Sequence, residues 1–328
     1  IRLPAAWCGV LGLKPTYGLV PYVGIGAIDG SYDHAGPMTR TVEDMALLLD
    51  VIAGKHPDDP RQDVVPKQDY RRAVAEAPDD LTVVTVGVLK EGFGFADGPS
   101  APVGTAETEA AVREAVERLR ALGATVKEVS VPMHLTGTSM MFAALMMGQT
   151  ELLRNNGVYF HARGARQNPG LALALGRSLR TQSDLLPPTV KLVTLLGGYM
   201  KEHYFGAHYA KAMNLAPRLR AAYDGALAEC DVIVMPTATH YAHVHLPGAS
   251  LSERVLRGWG MVANTAPTDA TGHPALSIPA AEADGLPVGL MLVGRTFDDA
   301  GLLRIARTYE RAYGWLPGAA PRYPSNLT

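Results

Sequence analysis

Cysteine is scarce in this sequence: only Cys8 and Cys230 occur among its 328 residues. Two cysteines cannot build the disulfide framework that stabilises many small secreted proteins. They fit a reducing compartment, in which we expect both thiols to be free and buried. The sequence therefore predicts a cytoplasmic protein.

Net charge and long apolar segments are lacking as well. The formal net charge is −2, so there is no electrostatic case for binding nucleic acid or an anionic membrane. No stretch approaches the roughly 18 uninterrupted apolar residues that a membrane span needs. The sequence also has no repeat of fixed period and no low-complexity tract. Neither nucleic acid nor a membrane is therefore expected as a partner.

The chain starts at Ile1 without an initiator Met, a basic region or an apolar signal core, so these residues are not a targeting segment. We expect the chain to begin inside a structural element. Glycine and proline are dense at the start, at Pro4, Gly9, Gly12, Pro15 and Gly18. Glycine permits close backbone approaches and proline fixes φ, which favours a tightly packed turn-and-strand segment inside a core.

A strand–helix–strand unit is the clearest fold signal. A β-branched run at 83–89 predicts a strand, 107–122 predicts an amphipathic helix, and 125–131 predicts a second strand. Such a unit implies a parallel strand pair joined by a right-handed crossover. The apolar fraction of 47% and charged fraction of 19% are those of a globular chain. The sequence therefore predicts an α/β fold.

Other elements follow from periodicity and capping residues. Thr41 and Asp298 are placed to cap helices that end at Gly54 and Gly314. Residues 55–80 are predicted to be an exposed loop with a short helix near 70–76, and the tail 317–328 to be irregular. Further helices are predicted at 136–155, 188–204 and 207–229, and further strands at 231–235, 275–279 and 288–293. A turn at Asp284-Gly285 is predicted to link the last two strands.

The first residues resemble a known family. The pattern Arg2-x-Pro4-Ala5-x-x-Cys8-Gly9, continued by Gly12-Leu13-Lys14-Pro15-Thr16-Tyr17-Gly18, is similar to the segment that follows the nucleophile in the amidase signature family. Weaker matches occur at 33–44, 52–54, 231–237, 271–275 and 285–289. The resemblance implies a mixed central β-sheet covered by helices on both faces. It also implies that residues 1–328 are the C-terminal part of one amidase signature domain, N-terminally incomplete.

The resemblance also implies a mechanism. Family members use a lysine, a bridging serine in a cis peptide and a nucleophilic serine, and all three are expected upstream of Ile1. None of the ten serines in this sequence lies in a Gly-x-Ser-x-Gly elbow, and Cys8 has no local His partner. Lys14 and Thr16 could be mistaken for a lysine–hydroxyl pair, but a structural role for Lys14 is favoured. No catalytic residue is therefore assigned in this chain, and no cofactor is expected.

Supporting residues and a substrate pocket can nevertheless be predicted. Arg2, Pro4 and Cys8 are candidates for structural support of the nucleophile, because a guanidinium can hold several carbonyls or carboxylates at once. The alternative for Arg2 is an ordinary solvent-facing side chain. The acyl-pocket candidates, for which plain core packing is the alternative, are Trp259, Met140, Met147, Thr271 and His273.

A run of histidines is the one pattern in this sequence that suggests a metal site. His243 and His245 would share a face if the chain is extended after His240. However, zinc needs a further ligand, and no carboxylate or cysteine lies nearby in sequence. We therefore favour a polar loop and predict no metal.

Three functions remain open. The first is hydrolysis of small carboxamides, because 264–275 is most similar to the amidases that work alongside nitrile-hydrating enzymes. The second is an amidotransferase A-type subunit that releases ammonia for tRNA-linked amidation. The third is a non-catalytic binding module. A small-molecule amide is the expected partner of the enzyme, without nucleic acid or membrane, and a homodimer is a possible assembly.

Overall fold

The computed structural model describes residues 1–26, 28–97, 102–158 and 167–315. The prediction for the tail 317–328 lies outside these residues. Within them the strands are β1 (Leu11–Lys14), β2 (Met38–Thr39), β3 (Thr85–Leu89), β4 (Thr125–Val129), β5 (Val232–Pro236), β6 (Ala275–Ala283) and β7 (Leu286–Val293).

Helices surround these strands. In chain order they are α1 (Arg2–Cys8), α2 (Val42–Ile52), α3 (Tyr70–Ala75), α4 (Thr105–Ala121), α5 (Gly137–Arg154), α6 (Pro169–Gln182), α7 (Pro188–Tyr204), α8 (Ala207–Leu227), α9 (Leu251–Trp259), α10 (Ala266–Thr271) and α11 (Asp299–Tyr313). In the described part of the chain, none of the helices combines the length and apolar composition needed to cross a membrane.

The described strands form one mixed sheet in the order β2-β1-β6-β7-β5-β3-β4. Strand β3 runs parallel to β4 and to β5, whereas the other neighbours are antiparallel. The parallel pair predicted from the strand–helix–strand unit is thereby confirmed. Every residue of β1 and β5 is buried, as expected for strands that are covered on both faces. The predicted mixed central sheet covered by helices is confirmed.

The beginning of the chain differs from its prediction. Residues 2–8 form helix α1 instead of a turn and strand, and only β1 is extended. Pro4 lies near the first turn, where its missing N–H costs no hydrogen bond, and Gly9 ends the helix with φ 66°. The helix packs on β1, β6 and β7. Pro4 and Gly9 therefore mark the beginning and the end of a short helix that tertiary packing stabilises.

Several local signals are confirmed. The Thr41 hydroxyl accepts from the Asp44 N–H at 3.0 Å, and Asp298 Oδ1 accepts from the Gly301 N–H at 3.1 Å. Asp284 and Gly285 both have positive φ and connect β6 to β7. Strand β6 is longer than predicted, because a register irregularity between Ile278 and Ala281 accommodates the proline between them. Helices α6, α9 and α10 were not predicted.

Gly36 packs tightly against the backbone of β1, and its replacement tests this packing. A Cβ at Gly36 would lie 2.1 Å from the Leu13 carbonyl oxygen and 2.6 Å from Pro15 Cδ. Because a backbone carbonyl in a sheet cannot move aside, Gly36→Ala is expected to lower the free energy of unfolding by about 3 kcal/mol. Chemical denaturation followed by circular dichroism measures the change.

Gly225→Ala is the matched control, since a Cβ at Gly225 in α8 would meet nothing within 4 Å. It is expected to stabilise the helix by about 0.5–1 kcal/mol. Equal stability of the two variants would contradict the close packing of Gly36 on β1.

Candidate active site around Arg2

Arg2 connects helix α1 to helix α10. Its side chain is buried, with 4% exposed, and its guanidinium donates to the Thr265 carbonyl at 3.0 Å and to Asp269 Oδ1 at 2.6 Å. It also contacts the Thr268 hydroxyl and, at 3.5 Å, the sulfur of Met291. Asp269 is its ionic partner. The guanidinium therefore fixes the start of α1 against three residues of one short segment, while its catalytic importance stays a prediction.

A cavity of about 310 Å³ lies beside Arg2. Its lining residues are Ile1, Arg2, Leu3, Pro4, Lys14, Tyr32, Asp33, His34, Val262, Thr265 and Asp269. The family resemblance aligns Ile1 with the residue immediately after the nucleophile. We therefore take this cavity, called the Arg2 cavity below, as the candidate active site.

Buried Lys14 and half-buried His34 form a pair at the wall of this cavity. Lys14 Nζ lies 3.2 Å from the Pro15 carbonyl oxygen and 3.3 Å from His34 Nε2. His34 Nδ1 lies 2.7 Å from the Tyr32 carbonyl, so the tautomer with Nδ1–H leaves Nε2 to accept from Lys14. Burial, reinforced by Arg2, lowers the pKa of Lys14 to about 7. Burial and Lys14 lower the pKa of His34 well below its usual value.

Thr16 does not pair with Lys14. Its N–H and hydroxyl donate to the two oxygens of Asp299, at 2.9 and 2.7 Å. Asp299 is fully buried, and burial raises its pKa to about 6. The turn after β1 is thus anchored to the start of α11, while the structural role of Lys14 stays a prediction.

Pro4 and Cys8 occupy different positions at α1. Pro4 is exposed but lines the Arg2 cavity, whereas Cys8 is exposed at the end of the helix. The prediction of a buried thiol is wrong for Cys8 and right for Cys230. The reason is that Ala5 and Ala6 occupy the helix face that packs on the sheet. Any support that Pro4 and Cys8 give to a nucleophile stays a prediction.

The described lining of the Arg2 cavity includes none of the predicted acyl-pocket residues. Met147 lines a second cavity of about 480 Å³ between α5, α8 and residues 28–30. Met140 is 3% exposed in the hydrophobic core, and the half-buried ring of Trp259 packs on Phe142 with 5.4 Å between centroids. Met140 and Trp259 line neither this cavity nor the Arg2 cavity. Their contact with substrate stays a prediction.

Thr271 and His273 are buried and satisfied by protein partners. His273 Nδ1 lies 2.9 Å from the Thr271 hydroxyl, and Nε2 lies 3.0 Å from Asp224 Oδ1. Burial lowers the pKa of His273 to about 4. These bonds connect the end of α10 to α8, and neither residue lines the Arg2 cavity or the cavity at Met147.

Two side chains of the histidine run contact each other, which the spacing of the histidines did not predict. His240 Nε2 lies 3.0 Å from His243 Nε2, whereas His245 is exposed and outside any strand. The chain forms no strand at these positions, so the favoured interpretation, a polar loop after a strand, is confirmed. Across the described ranges, no three His, Cys, Asp or Glu side chains are grouped so that they could hold a metal ion.

Tyr32 and Asp29 were not singled out from the sequence. The Tyr32 side chain is 8% exposed, and its hydroxyl has no hydrogen-bond partner among the residues that the structure describes. Asp29 is equally buried and lines the second cavity. Both residues lie in an irregular loop, where no periodicity indicates burial.

Comparisons with known proteins agree on one family. The sequence model described as Amidase matches residues 1–303. The chain is 40% identical over 321 residues to an "Enantioselective amidase" of Rhodococcus rhodochrous, which covers 97% of this chain and 60% of that protein. It is 38% identical over 320 residues to the A subunit of the glutamyl-tRNA(Gln) amidotransferase of Exiguobacterium sibiricum, covering 96% of this chain and 62% of that protein.

A solved structure shows the same fold. A bacterial aryl acylamidase of the amidase signature enzymes superposes with a TM-score of 0.75 at 22% identity, over 99% of this chain and 63% of that chain. At this identity the likeness concerns the fold alone, and it confirms the predicted amidase signature fold. The chain thus spans about three fifths of the length of the proteins that it matches.

Proposed function

This chain belongs to the Amidase family, and on that premise we propose that the whole protein hydrolyses a carboxamide to a carboxylic acid and ammonia. The substrate is a small-molecule amide, and the reaction passes through an acyl-enzyme on serine. The support is the identity of 40% to an enantioselective amidase over nearly the whole chain. A preference for the small amides of nitrile metabolism is part of this proposal and rests on the similarity of 264–275.

The proposed catalytic groups precede Ile1. A neutral lysine takes a proton that a bridging serine relays from the nucleophilic serine, and backbone N–H groups before the nucleophile stabilise the oxyanion. Ammonia leaves when the tetrahedral intermediate collapses to the acyl-enzyme, and water then hydrolyses the serine ester to release the acid and the free serine. The family pattern supports this placement, and so does the greater length of the related proteins. The mechanism uses no metal and no cofactor.

The observation that carries the proposal is the bonding of Arg2. A guanidinium that is buried next to the matched nucleophile position and bound to Thr265, Thr268 and Asp269 holds that position rigidly. Catalysis by positioned groups depends on such rigidity, since small displacements of a nucleophile are costly. In this arrangement Arg2 acts as a positioning residue. Trp259, Met140, Met147, Thr271 and His273 remain the proposed sources of the acyl pocket.

An amidotransferase is the second candidate, because the Exiguobacterium protein is almost as similar as the amidase. A protein of this kind would release ammonia for tRNA-linked amidation. A cytoplasmic location and a homodimer stay predictions for both candidates, as does the non-catalytic module.

The test is ammonia release by the protein that carries its upstream residues. We expect turnover of several simple carboxamides, and we expect a serine-directed reagent to abolish it. Release from glutamine alone would favour the amidotransferase. An inert protein that is folded by circular dichroism would favour the binding module and contradict the proposal.

A further inference from the structure

Asp29 is a buried carboxylate without an ionic partner in the described part of the chain. It is 8% exposed, and its Oδ1 accepts from the N–H of Ser31 at 2.9 Å and from the Ser31 hydroxyl. None of the ion pairs among the described residues involves Asp29. Aspartate is rarely buried unless it is paired, because desolvation of a charge is costly. A buried carboxylate that no described cation neutralises leaves room at this cavity for a cationic ligand.

The cavity at Asp29 has the walls that an alkyl chain needs. Its lining residues are Ile28, Asp29, Gly30, Met147, Gly148, Glu151, Leu152, Asn155, Val158 and Tyr209, and its volume is about 480 Å³. Glu151 is the other acidic residue of this lining, and it already pairs with Lys201 Nζ at 2.6 Å. Among the described lining residues, Asp29 is thus the carboxylate without an ion pair, and its donors are Ser31 and the Tyr209 phenol.

The neighbours of Asp29 fix its position. Helix α5 approaches the loop through Gly148, where a Cβ would lie 2.6 Å from the Ile28 carbonyl oxygen and 3.1 Å from Asp29 Oδ2. Burial and the nearby Asp29 raise the pKa of the Tyr209 phenol, which therefore stays a neutral group beside the carboxylate. The carboxylate is preorganised, so little ordering cost remains when a ligand binds.

The same loop borders the candidate active site. Residues 28–30 line the Asp29 cavity, and Tyr32, Asp33 and His34 line the Arg2 cavity. One short loop therefore forms a wall of both cavities.

We propose that the Asp29 cavity binds the ammonium end of an amide substrate whose acyl chain carries a primary amine. The assignment of this ligand as a substrate rests on the proposed function. The methylene groups of the acyl chain contact Ile28, Met147 and Leu152, and the ammonium donates to Asp29. Charge-assisted hydrogen bonds of this kind are short and directional, so Asp29 distinguishes an amine from a methyl group at the same position.

The kinetic test compares two amides of the same shape, 5-aminopentanamide and hexanamide, in the protein that carries its upstream residues. Asp29→Asn keeps the volume and an acceptor oxygen for Ser31 but removes the charge. It is expected to lower kcat/KM for 5-aminopentanamide about 10- to 100-fold and to leave hexanamide nearly unchanged. Glu202→Gln is the matched control and should leave the ranking of the two amides unaltered, since Glu202 is exposed and lines neither cavity. Equal effects of Asp29→Asn on both amides would overturn the proposal.

A binding measurement separates this inference from the proposed function and does not depend on the stability of the variant. Calorimetry should show saturable binding of n-pentylamine to the unmodified protein and no binding of n-pentanol. Binding without hydrolysis of any amide supports the ammonium site and refutes the proposed function. Hydrolysis of amides without binding of n-pentylamine overturns the ammonium site alone.

The mode of inhibition identifies the source of the amine. Competitive inhibition of 5-aminopentanamide hydrolysis by n-pentylamine supports a substrate subsite. Non-competitive inhibition would show a separate amine site and overturn the assignment to the substrate.

Discussion

Residues 1–328 expressed alone are expected to release no ammonia from simple carboxamides, whereas the protein extended upstream of Ile1 turns them over. The proposed lysine and both serines precede Ile1, and nucleophile, base and oxyanion donors act as a unit. Removal of such a unit lowers kcat by about 10⁶-fold, because binding alone stabilises little of the transition state. Ammonia release from a panel of amides by the two proteins, at equal concentration, measures the difference.

A stability measurement tests whether residues 1–328 are inactive only because they fail to fold stably. Helix α2 exposes Leu47, Leu48 and Val51, and edge strand β2 exposes Met38. Exposed apolar helix faces and open sheet edges promote aggregation, so we expect residues 1–328 to melt at lower temperature than the extended protein. Serine-reagent-sensitive turnover by residues 1–328, when folded, would place the nucleophile among the ten serines of this sequence and refute the proposed mechanism.

Arg2→Lys in the extended protein is expected to lower kcat about 100-fold and to change KM little. The guanidinium holds acceptors on Thr265, Thr268 and Asp269 at once, and an ammonium cannot span all three. The start of α1 would then shift relative to α10, and the nucleophile with it. Steady-state kinetics on a simple amide measures both parameters.

Arg71→Lys is the matched control, because Arg71 is 67% exposed and pairs with Asp50 at the surface. Its kinetics should equal those of the unmodified protein. A normal kcat in folded Arg2→Lys protein would show that Arg2 only packs, and it would remove the observation on which the proposed function depends.

Local sequence signals were sufficient for the elements that local interactions stabilise. The parallel pair of β3 and β4 around α4 follows from strand propensity, helical periodicity and the short connections between them. Thr41 and Asp298 were identified as caps because a side-chain oxygen bonds an amide three residues away. In the same way, the Asp284–Gly285 turn joins two strands that are adjacent in the chain.

Tertiary packing decided what these local signals could not. Helix α1 is too short to be stable by propensity, so its burial against β1, β6 and β7 determines its conformation. The same packing directs Ala5 and Ala6 inward and leaves Cys8 exposed.

By itself, the sequence determined the family and the mixed α/β class, and it predicted a supporting role for Arg2. The tertiary structure alone decided which partners Arg2 binds, since Thr265 and Asp269 lie more than 260 positions away in the chain. It alone decided that Lys14 meets His34 and that Asp29 faces a cavity. The physical reason is that side-chain burial and charge pairing depend on contacts between distant segments, whereas propensity and capping depend on neighbours in sequence.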